Sequence, residues 1–188
     1  SGITFIFHDL SLLFSIIISS VCLVSLDLIT GDYTYHALGT ESHKHGYIIG
    51  NNICGETTVY KGSLGTQAIK LFNTVAARTG FNQTEAETNG FNPIVSEIEI
   101  PDHKEYYPPS YNTKIRVTAD KKTGRILGAQ ILGNINAEIS KRIDIFATAI
   151  YNEMNIKEFN QLDLSYTPPL SRPWDPVQSA VQNFNIEK

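Results

Sequence analysis

The second half of the chain alternates apolar and polar positions, a period of two that is typical of half-buried strands. The stretch "TKIRVTADKKTGRILGAQILG" contains two such runs joined by Lys121–Gly124, which predicts an antiparallel hairpin. "PIVSEIEI" predicts another strand. Over residues 67–75, Ile69, Leu71 and Val75 alternate with polar positions, so a single strand is favoured over a helix.

A period close to 3.6 follows this region and predicts helices. Four apolar side chains recur at helical spacing between Ala137 and Asn152, which predicts an amphipathic helix; they are Ile139, Ile143, Phe146 and Ile150. Asn155 predicts the N-cap of a shorter helix. Thr84 and Glu87 predict a capping box for a further helix that closes near Gly90. Strands, a hairpin and a packed helix together indicate an α+β domain.

The first thirty residues follow neither pattern. Leu10 to Leu26 contains no charged residue over 17 positions, which is at the lower limit for crossing a hydrocarbon layer of about 30 Å. No basic residue precedes Lys44, so the charged start of a signal peptide and a topology signal are both missing. A buried element is favoured over a membrane segment, and a diverged or rearranged remnant is a third interpretation.

A short hairpin is predicted directly after this segment. Thr30–Asp32 has turn composition and lies between Leu28–Ile29 and Tyr33–Tyr35. The dipeptide "GD" at Gly31–Asp32 is therefore interpreted as part of a turn.

A glycine-led helix is predicted next, in "HALGTESHKHGYIIGNNICG". It would start at Gly39–Thr40 and end at Gly55, with an apolar stripe that includes Tyr47, Ile48 and Cys54. The first amides of such a helix and its positive dipole end favour an electron-rich group.

Composition limits the function classes. The net charge of −4 and the scattered basic residues argue against nucleic-acid binding. Cys22 and Cys54 lack CxxC or metal-ligand spacing, so free thiols in a reducing cytoplasm are expected. His43 and His45 are two positions apart and would point in different directions on a helix, so we predict no metal site.

The stretch "SYTPPLSRPWDPV", residues 165–177, contains four prolines. Each proline fixes φ and removes an amide donor, so neither a helix nor a sheet can run through the segment. A rigid, extended segment is predicted instead. It carries the phenol of Tyr166 near its start and the chain's single tryptophan, Trp174, near its end.

Several of these stretches, taken together and in order, resemble one family. They are "TYHALGTESHKHGYIIGNNICG", "YKGSLGTQAIKLFNTVAARTGFNQTEAETNGF", "YYP", "TGRILGAQILG" and "LSYTPPLSRPWDPVQSAVQ". From Asp27 to Phe184 the chain resembles the C-terminal half of the FAD-dependent pyridine nucleotide-disulfide oxidoreductases, in the branch of coenzyme A-disulfide reductases, persulfide reductases and NADH oxidases. The resemblance implies a remnant of the FAD-binding domain over residues 1–60. It implies an α+β C-terminal interface domain over residues 61–188, with an antiparallel sheet and packed helices, and a homodimer formed through this domain.

The resemblance also implies roles for individual residues. In this branch tyrosines face the flavin-side cysteine of the partner subunit, which points to Tyr166 and to one of Tyr106 and Tyr107, with Tyr107 favoured. Each would donate a hydrogen bond to a thiolate or persulfide. The alternative is that all three are interface aromatics without a chemical role. Trp174 and the 137–152 helix are expected to supply apolar dimer contacts.

Leu38, Gly39 and Thr40 match the family's loop at the flavin pyrimidine edge, where main-chain amides stabilise negative charge on the reduced ring. The chain departs from the family elsewhere. It contains no GxGxxG fingerprint and no family redox cysteine, and Ser20 and Val21 stand where relatives carry an alanine-glycine-aspartate motif.

The predicted function is therefore the FAD-tail and dimerisation portion of a flavin-dependent NAD(P)H:disulfide oxidoreductase, inactive alone, with FAD and NAD(P)H bound in the complete enzyme. A separately made N-terminal half is a possible partner. The alternatives are a stand-alone non-catalytic dimerisation module, a fragment of an NADH oxidase, and a membrane-tethered form that uses Leu10 to Leu26.

Overall fold

A computed structural model describes residues 24–184 of the chain. The chain divides into two compact units between Ser63 and Leu64. The predictions made for Cys22, for Ser20–Val21 and for most of the Leu10–Leu26 segment lie outside the described residues. Among the described residues, no helix has both the length and the apolar character needed to cross a membrane.

The first unit contains a small hairpin and one long helix. Strand β1 (Ser25–Leu26) pairs with β2 (Tyr33–Thr34), so the first strand lies earlier than the predicted Leu28–Ile29. The turn is longer than predicted because the carboxylate of Asp27 accepts hydrogen bonds from the amides of Ile29 and Thr30 and so makes them part of the turn.

Helix α1 (Gly39–Ile53) confirms the predicted helix, but its buried face is not the predicted apolar stripe. Tyr47 and Cys54 are exposed, whereas the buried helical residues are Glu41 and His45. The buried side of this helix is polar because its partners are hydrogen-bonding side chains.

The second unit is built on one five-stranded antiparallel sheet with the order β3-β4-β7-β6-β5. Its strands are β3 (Gln67–Leu71), β4 (Thr74–Gly80), β5 (Pro93–Pro101), β6 (Asn112–Asp120) and β7 (Ile126–Asn134). The predicted hairpin around Lys121–Gly124 joins β6 to β7 and the predicted "PIVSEIEI" strand is β5, so both predictions are confirmed.

The single strand predicted over residues 67–75 is wrong, because the chain reverses within it. β3 and β4 form a tight hairpin in which Leu71 pairs with Thr74. Phe72 occupies the turn with a φ of 53° and is 94 % exposed. Left-handed backbone at a non-glycine residue is uncommon, and "LFNT" carries no glycine to indicate the turn.

Helices pack around this sheet. They are α2 (Gln83–Thr88), α3 (Ile139–Tyr151), α4 (Ile156–Phe159) and α5 (Pro176–Gln182), and a short 3₁₀ turn, Ile135–Ala137, precedes α3. The Asn155 cap is confirmed. The capping box of α2 is formed by Asn82 and Glu85, two positions before the predicted pair, because the Asn82 side chain reaches the Glu85 amide at 2.9 Å.

The core lies between the sheet and helices α3 and α5. Helix α3 packs across β4 and β7, and α5 packs across β5 and β6. The four predicted apolar residues of α3 are all buried, and Phe146 stacks on Phe159 with ring centroids 4.9 Å apart. Gly128 is required on β7, since a Cβ there would lie 2.0 Å from the main-chain oxygen of Phe81.

This packing uses only the apolar side of α3, and the predicted dimer contact of the helix stays a prediction. Its apolar stripe is buried against the sheet of the same chain, so these side chains cannot also contact a partner subunit. Trp174, by contrast, is exposed and keeps its apolar surface available.

The substitution Phe146→Ala is expected to lower the free energy of unfolding by about 3–5 kcal/mol, because it leaves a cavity in the core. Phe72→Ala is the matched control, since the same atoms are removed from an exposed ring. A change within about 0.5 kcal/mol is expected for Phe72→Ala. Urea unfolding measures both values, and equal losses would show that the core is not where the structure has it.

Candidate functional site

The segment that carries Tyr166 has no regular secondary structure between Leu162 and Asp175, as its prolines predict. Its shape is maintained by local hydrogen bonds: the amides of Leu170 and Ser171 both donate to the main-chain oxygen of Thr167 at 3.0 Å. The Ser171 hydroxyl donates to Asp175 Oδ2 at 2.6 Å. Asp175 in turn caps α5 by accepting from the Val177 amide at 3.0 Å.

Tyr106 and Tyr107 lie in the turn that leaves β5. The Tyr107 amide donates to the main-chain oxygen of Lys104 at 2.9 Å, and the two phenol rings are 5.1 Å apart. The Lys104 amide donates to the main-chain oxygen of Pro168 at 3.2 Å. This hydrogen bond joins the turn of the paired tyrosines to the proline segment of Tyr166.

Arg142 connects both stretches to helix α3. Its side chain is 95 % buried and forms an ion pair with Asp175, with Nη2 at 3.3 Å from Oδ2. Nη2 also donates to the main-chain oxygen of Asp102 at 2.9 Å, and Nη1 donates to that of Ala137. A buried guanidinium stays charged, so these acceptors must remain in place for it to be tolerated.

Asp102 and His103 form a second buried group beside this arginine. Asp102 Oδ1 accepts from the Tyr111 amide at 2.8 Å, and its Oδ2 lies 3.0 Å from His103 Nδ1. His103 Nε2 lies 2.7 Å from the main-chain oxygen of Tyr107. The hydrogen bond to this oxygen, assisted by Asp102, raises the pKa of His103 above its ordinary value, although burial and Arg142 oppose the change.

The three candidate tyrosines are all exposed in the single chain: Tyr166 to 44 %, Tyr107 to 45 % and Tyr106 to 68 %. Tyr166 lines an open pocket of about 400 Å³ between the start of α3 and the proline segment. Lys141 and Ile145 lie on the helix side of this pocket, and Leu170 lies on the segment side. The phenols therefore face away from the core, and their chemical roles stay predictions.

The buried residues that position these tyrosines were missed from the sequence. A signal for Arg142 was present, because it lies three residues after Ile139 and four before Phe146, on the apolar stripe of the predicted helix. A charge on such a stripe indicates a buried partner. His103 and Asp102 carry no comparable local signal, since they follow a strand within a polar stretch.

Leu38, Gly39 and Thr40 lie at the start of α1, within the first unit. Leu38 is the N-cap and provides no side-chain cap, so the first-turn amides have no side-chain acceptor there. No atom lies within 4 Å of the position that a Cβ on Gly39 would occupy. The open main chain fits the approach of a flat, electron-rich ring edge.

A buried polar cluster supports this helix start. Glu41 accepts from the Ser25 hydroxyl at 2.7 Å, and its Oε1 lies 3.0 Å from His36 Nδ1 without hydrogen-bond geometry. His45 packs edge-on against Tyr60 with ring centroids 4.4 Å apart. Burial, followed by the charge of Glu41, raises the pKa of the Tyr60 phenol. No group of three or more potential metal ligands occurs among the described residues.

Comparison with known families agrees with this architecture. Residues 66–176 match the dimerisation domain of pyridine nucleotide-disulphide oxidoreductases. The chain belongs to the pyridine nucleotide-disulphide oxidoreductase family. The predicted family and the predicted fold class are both confirmed, since the match covers the sheet, α3 and both tyrosine-bearing stretches.

Individual relatives show how much of a longer enzyme this chain represents. It is 33 % identical over 150 residues to the NAD(P)H sulfur oxidoreductase (CoA-dependent) of Pyrococcus abyssi, covering 80 % of this chain and 33 % of the relative. It is 29 % identical over 158 residues to the coenzyme A disulfide reductase of Staphylococcus haemolyticus, covering 80 % and 35 %. The chain thus spans about a third of the length of these relatives.

Solved structures show the same relation. The NAD-dependent persulfide reductase of A. fulgidus superposes with a TM-score of 0.83 at 33 % identity, over 87 % of this chain and 30 % of that one. The water-forming NADH oxidase of Lactobacillus brevis superposes with a TM-score of 0.81 at 21 % identity, over 87 % and 36 %, which supports the fold alone.

Replacing Arg142 by methionine is expected to destabilise the protein by about 3–5 kcal/mol, because Asp175 is left buried without its cation. Lys141→Met is the matched control, since Lys141 pairs with Asp144 on an exposed surface. Its loss is expected to change stability by no more than about 1 kcal/mol. Urea unfolding compares the two variants, and an equal effect would contradict the buried role of Arg142.

Proposed function

We propose that this chain is the FAD-tail and dimerisation portion of a flavin-dependent NAD(P)H:disulfide oxidoreductase that acts on coenzyme A disulfide or a persulfide. The observation that carries the proposal is the pair of exposed tyrosine stretches, which a buried arginine, Arg142, joins within a family dimerisation domain. Exposed phenols on a rigid support suit a site completed by a second subunit.

The proposed role of Tyr166 and Tyr107 is to position and stabilise, not to attack. A phenol with a pKa near 10 is a poor base at neutral pH but a competent hydrogen-bond donor. Directed at a partner's active-site sulfur, it would stabilise the thiolate or persulfide anion that leaves during disulfide reduction. Tyr106, which is the most exposed of the three, is the weaker candidate for this role.

FAD is the cofactor proposed for the complete enzyme, and a relative from Desulfovibrio vulgaris is described as FAD-dependent. When bound, the flavin supplies transfer of a hydride from NAD(P)H to a disulfide. Leu38, Gly39 and Thr40 would direct main-chain amides at its pyrimidine edge, where they favour negative charge. Lacking GxGxxG, this 188-residue chain is proposed not to turn over alone.

A stand-alone dimerisation module is the second candidate function. The observation behind it is the match of residues 66–176 to the dimerisation domain of the family. Such a module would form a dimer or bind a separately made N-terminal half without binding flavin itself. Both candidates expect a dimer that binds no flavin alone, so turnover of a hybrid enzyme that contains this chain separates them.

The purified chain is expected to form a dimer with a mass about twice 20.9 kDa, to be colourless as purified, and not to bind FAD that is then added. Light scattering gives the mass, and the visible spectrum and fluorescence of the flavin report binding. A monodisperse monomer would contradict the dimerisation role. Stoichiometric FAD binding would show that the first unit forms a cofactor site without a further domain.

The role of Tyr166 is tested in a hybrid enzyme, in which residues 27–184 replace the matching third of the Pyrococcus abyssi relative. Tyr166→Phe is expected to lower kcat for disulfide reduction by about tenfold to hundredfold, the effect of losing one donor to a charged group. Tyr33→Phe serves as the control, since Tyr33 is an exposed phenol of the other unit. Unchanged turnover in Tyr166→Phe would leave only the interface role for this tyrosine.

A further inference from the structure

Two acceptors flank the buried imidazole of His103, and each requires a hydrogen from it. Nδ1 lies 3.0 Å from Oδ2 of Asp102, and Nε2 lies 2.7 Å from the main-chain oxygen of Tyr107. A carbonyl oxygen and an ionised carboxylate can only accept hydrogen bonds. Both contacts are therefore hydrogen bonds at the same time only when the ring carries hydrogen on both nitrogens, as the imidazolium.

The turn that this imidazolium contacts leads directly to the segment of Tyr166. The Tyr107 amide donates to the main-chain oxygen of Lys104, and the Lys104 amide donates to that of Pro168. The contact of His103 with the Tyr107 oxygen thus closes the same short turn whose other hydrogen bond reaches the proline segment. A change at the ring reaches the Tyr107 stretch through one hydrogen bond and the Tyr166 segment through three.

We propose that doubly protonated His103 is a positioning residue that holds the Tyr107 turn against the Tyr166 segment. On deprotonation the Asp102 carboxylate keeps the remaining hydrogen on Nδ1, so Nε2 loses its hydrogen to solvent and the turn is released. The inference rests on the proposed function, because it concerns the placement of the two tyrosines assigned to the partner's sulfur site. It adds a pH-dependent control of that placement by a residue that does not itself contact the sulfur.

The charges around the ring decide the direction of this control. The carboxylate of Asp102 favours the imidazolium, whereas Arg142 of α3, whose own charge is shared with Asp175, disfavours it. The hydrogen bond to the Tyr107 oxygen is the largest influence, and the pKa of His103 lies above its ordinary 6.5. A raised pKa means that the stabilising contact is fully present below pH 6.5 and is lost as the pH rises through the folded-state value.

The test follows the ring and the turn in the same sample of the full chain. Nitrogen NMR of the His103 ring reports its protonation across the pH range. Amide hydrogen exchange at Lys104 and Tyr107, corrected for the intrinsic rate at each pH, reports the turn. We expect protection of both amides to fall by about tenfold, the equivalent of one charge-assisted hydrogen bond, at the pH where the ring loses its proton.

His103→Gln provides a non-titrating donor of similar length. We expect this variant to abolish the pH step in protection, and we expect His43→Gln, at an exposed histidine of α1, to leave it unchanged. A step that persists in His103→Gln overturns the inference. The inference is also overturned if the wild-type ring loses its proton while hydrogen exchange at the Lys104 and Tyr107 amides does not change. This wild-type comparison is sufficient if the His103→Gln variant does not fold.

The hybrid enzyme separates this inference from the proposed function. If Tyr166→Phe leaves turnover unchanged while amide protection still falls as the ring loses its proton, the proposed chemical role of Tyr166 fails and the positioning contact of His103 stands. If Tyr166→Phe slows turnover but amide hydrogen exchange does not depend on the protonation of His103, only the inference about His103 fails.

Discussion

The burial of one guanidinium constrains most of the second unit. Arg142 cannot lose its charge, so its place in the apolar stripe of α3 is tolerated only while Asp175 and the main-chain oxygens of Asp102 and Ala137 surround it. These acceptors come from the start of α5, the end of β5 and the turn before α3. Packing α3 on the sheet therefore fixes both tyrosine stretches in the same step.

In this arrangement the side chains that stabilise the domain are different from those that are exposed at its surface. The apolar side of α3 is buried in the core, with Phe146 against Phe159, so this side of the helix stabilises the domain. The tyrosines are carried instead on stretches with few amide donors of their own, where prolines lower the entropy that folding removes. Side chains and single main-chain hydrogen bonds hold these stretches, such as Ser171 to Asp175 and Lys104 to Pro168. The result is a rigid support that presents phenols at the surface.

The first unit also buries a charged side chain, the carboxylate of Glu41. Glu41 is buried in the first turn of α1, where a carboxylate complements the helix dipole, and Ser25 donates a hydrogen bond to it. The main chain at Gly39 and Thr40 is left uncovered on the outside of the same turn. Each unit therefore has a buried charged residue next to an exposed stretch: Glu41 at the start of α1, and Arg142 at the tyrosine stretches.

The sequence was enough to predict strands β5 to β7, helices α1 and α3, the irregular proline segment and the family, because periodicity, proline and motif order are local properties. It missed the β3–β4 turn, where Phe72 adopts a left-handed backbone without a glycine to indicate it. Which polar groups are buried together depends on the tertiary structure, since Arg142 contacts partners 33 and 40 positions away. Such pairings depend on how α3 crosses the sheet, and no local pattern records that distance. His103 was missed for the same reason, because its contact with the Tyr107 oxygen exists only when the turn has folded.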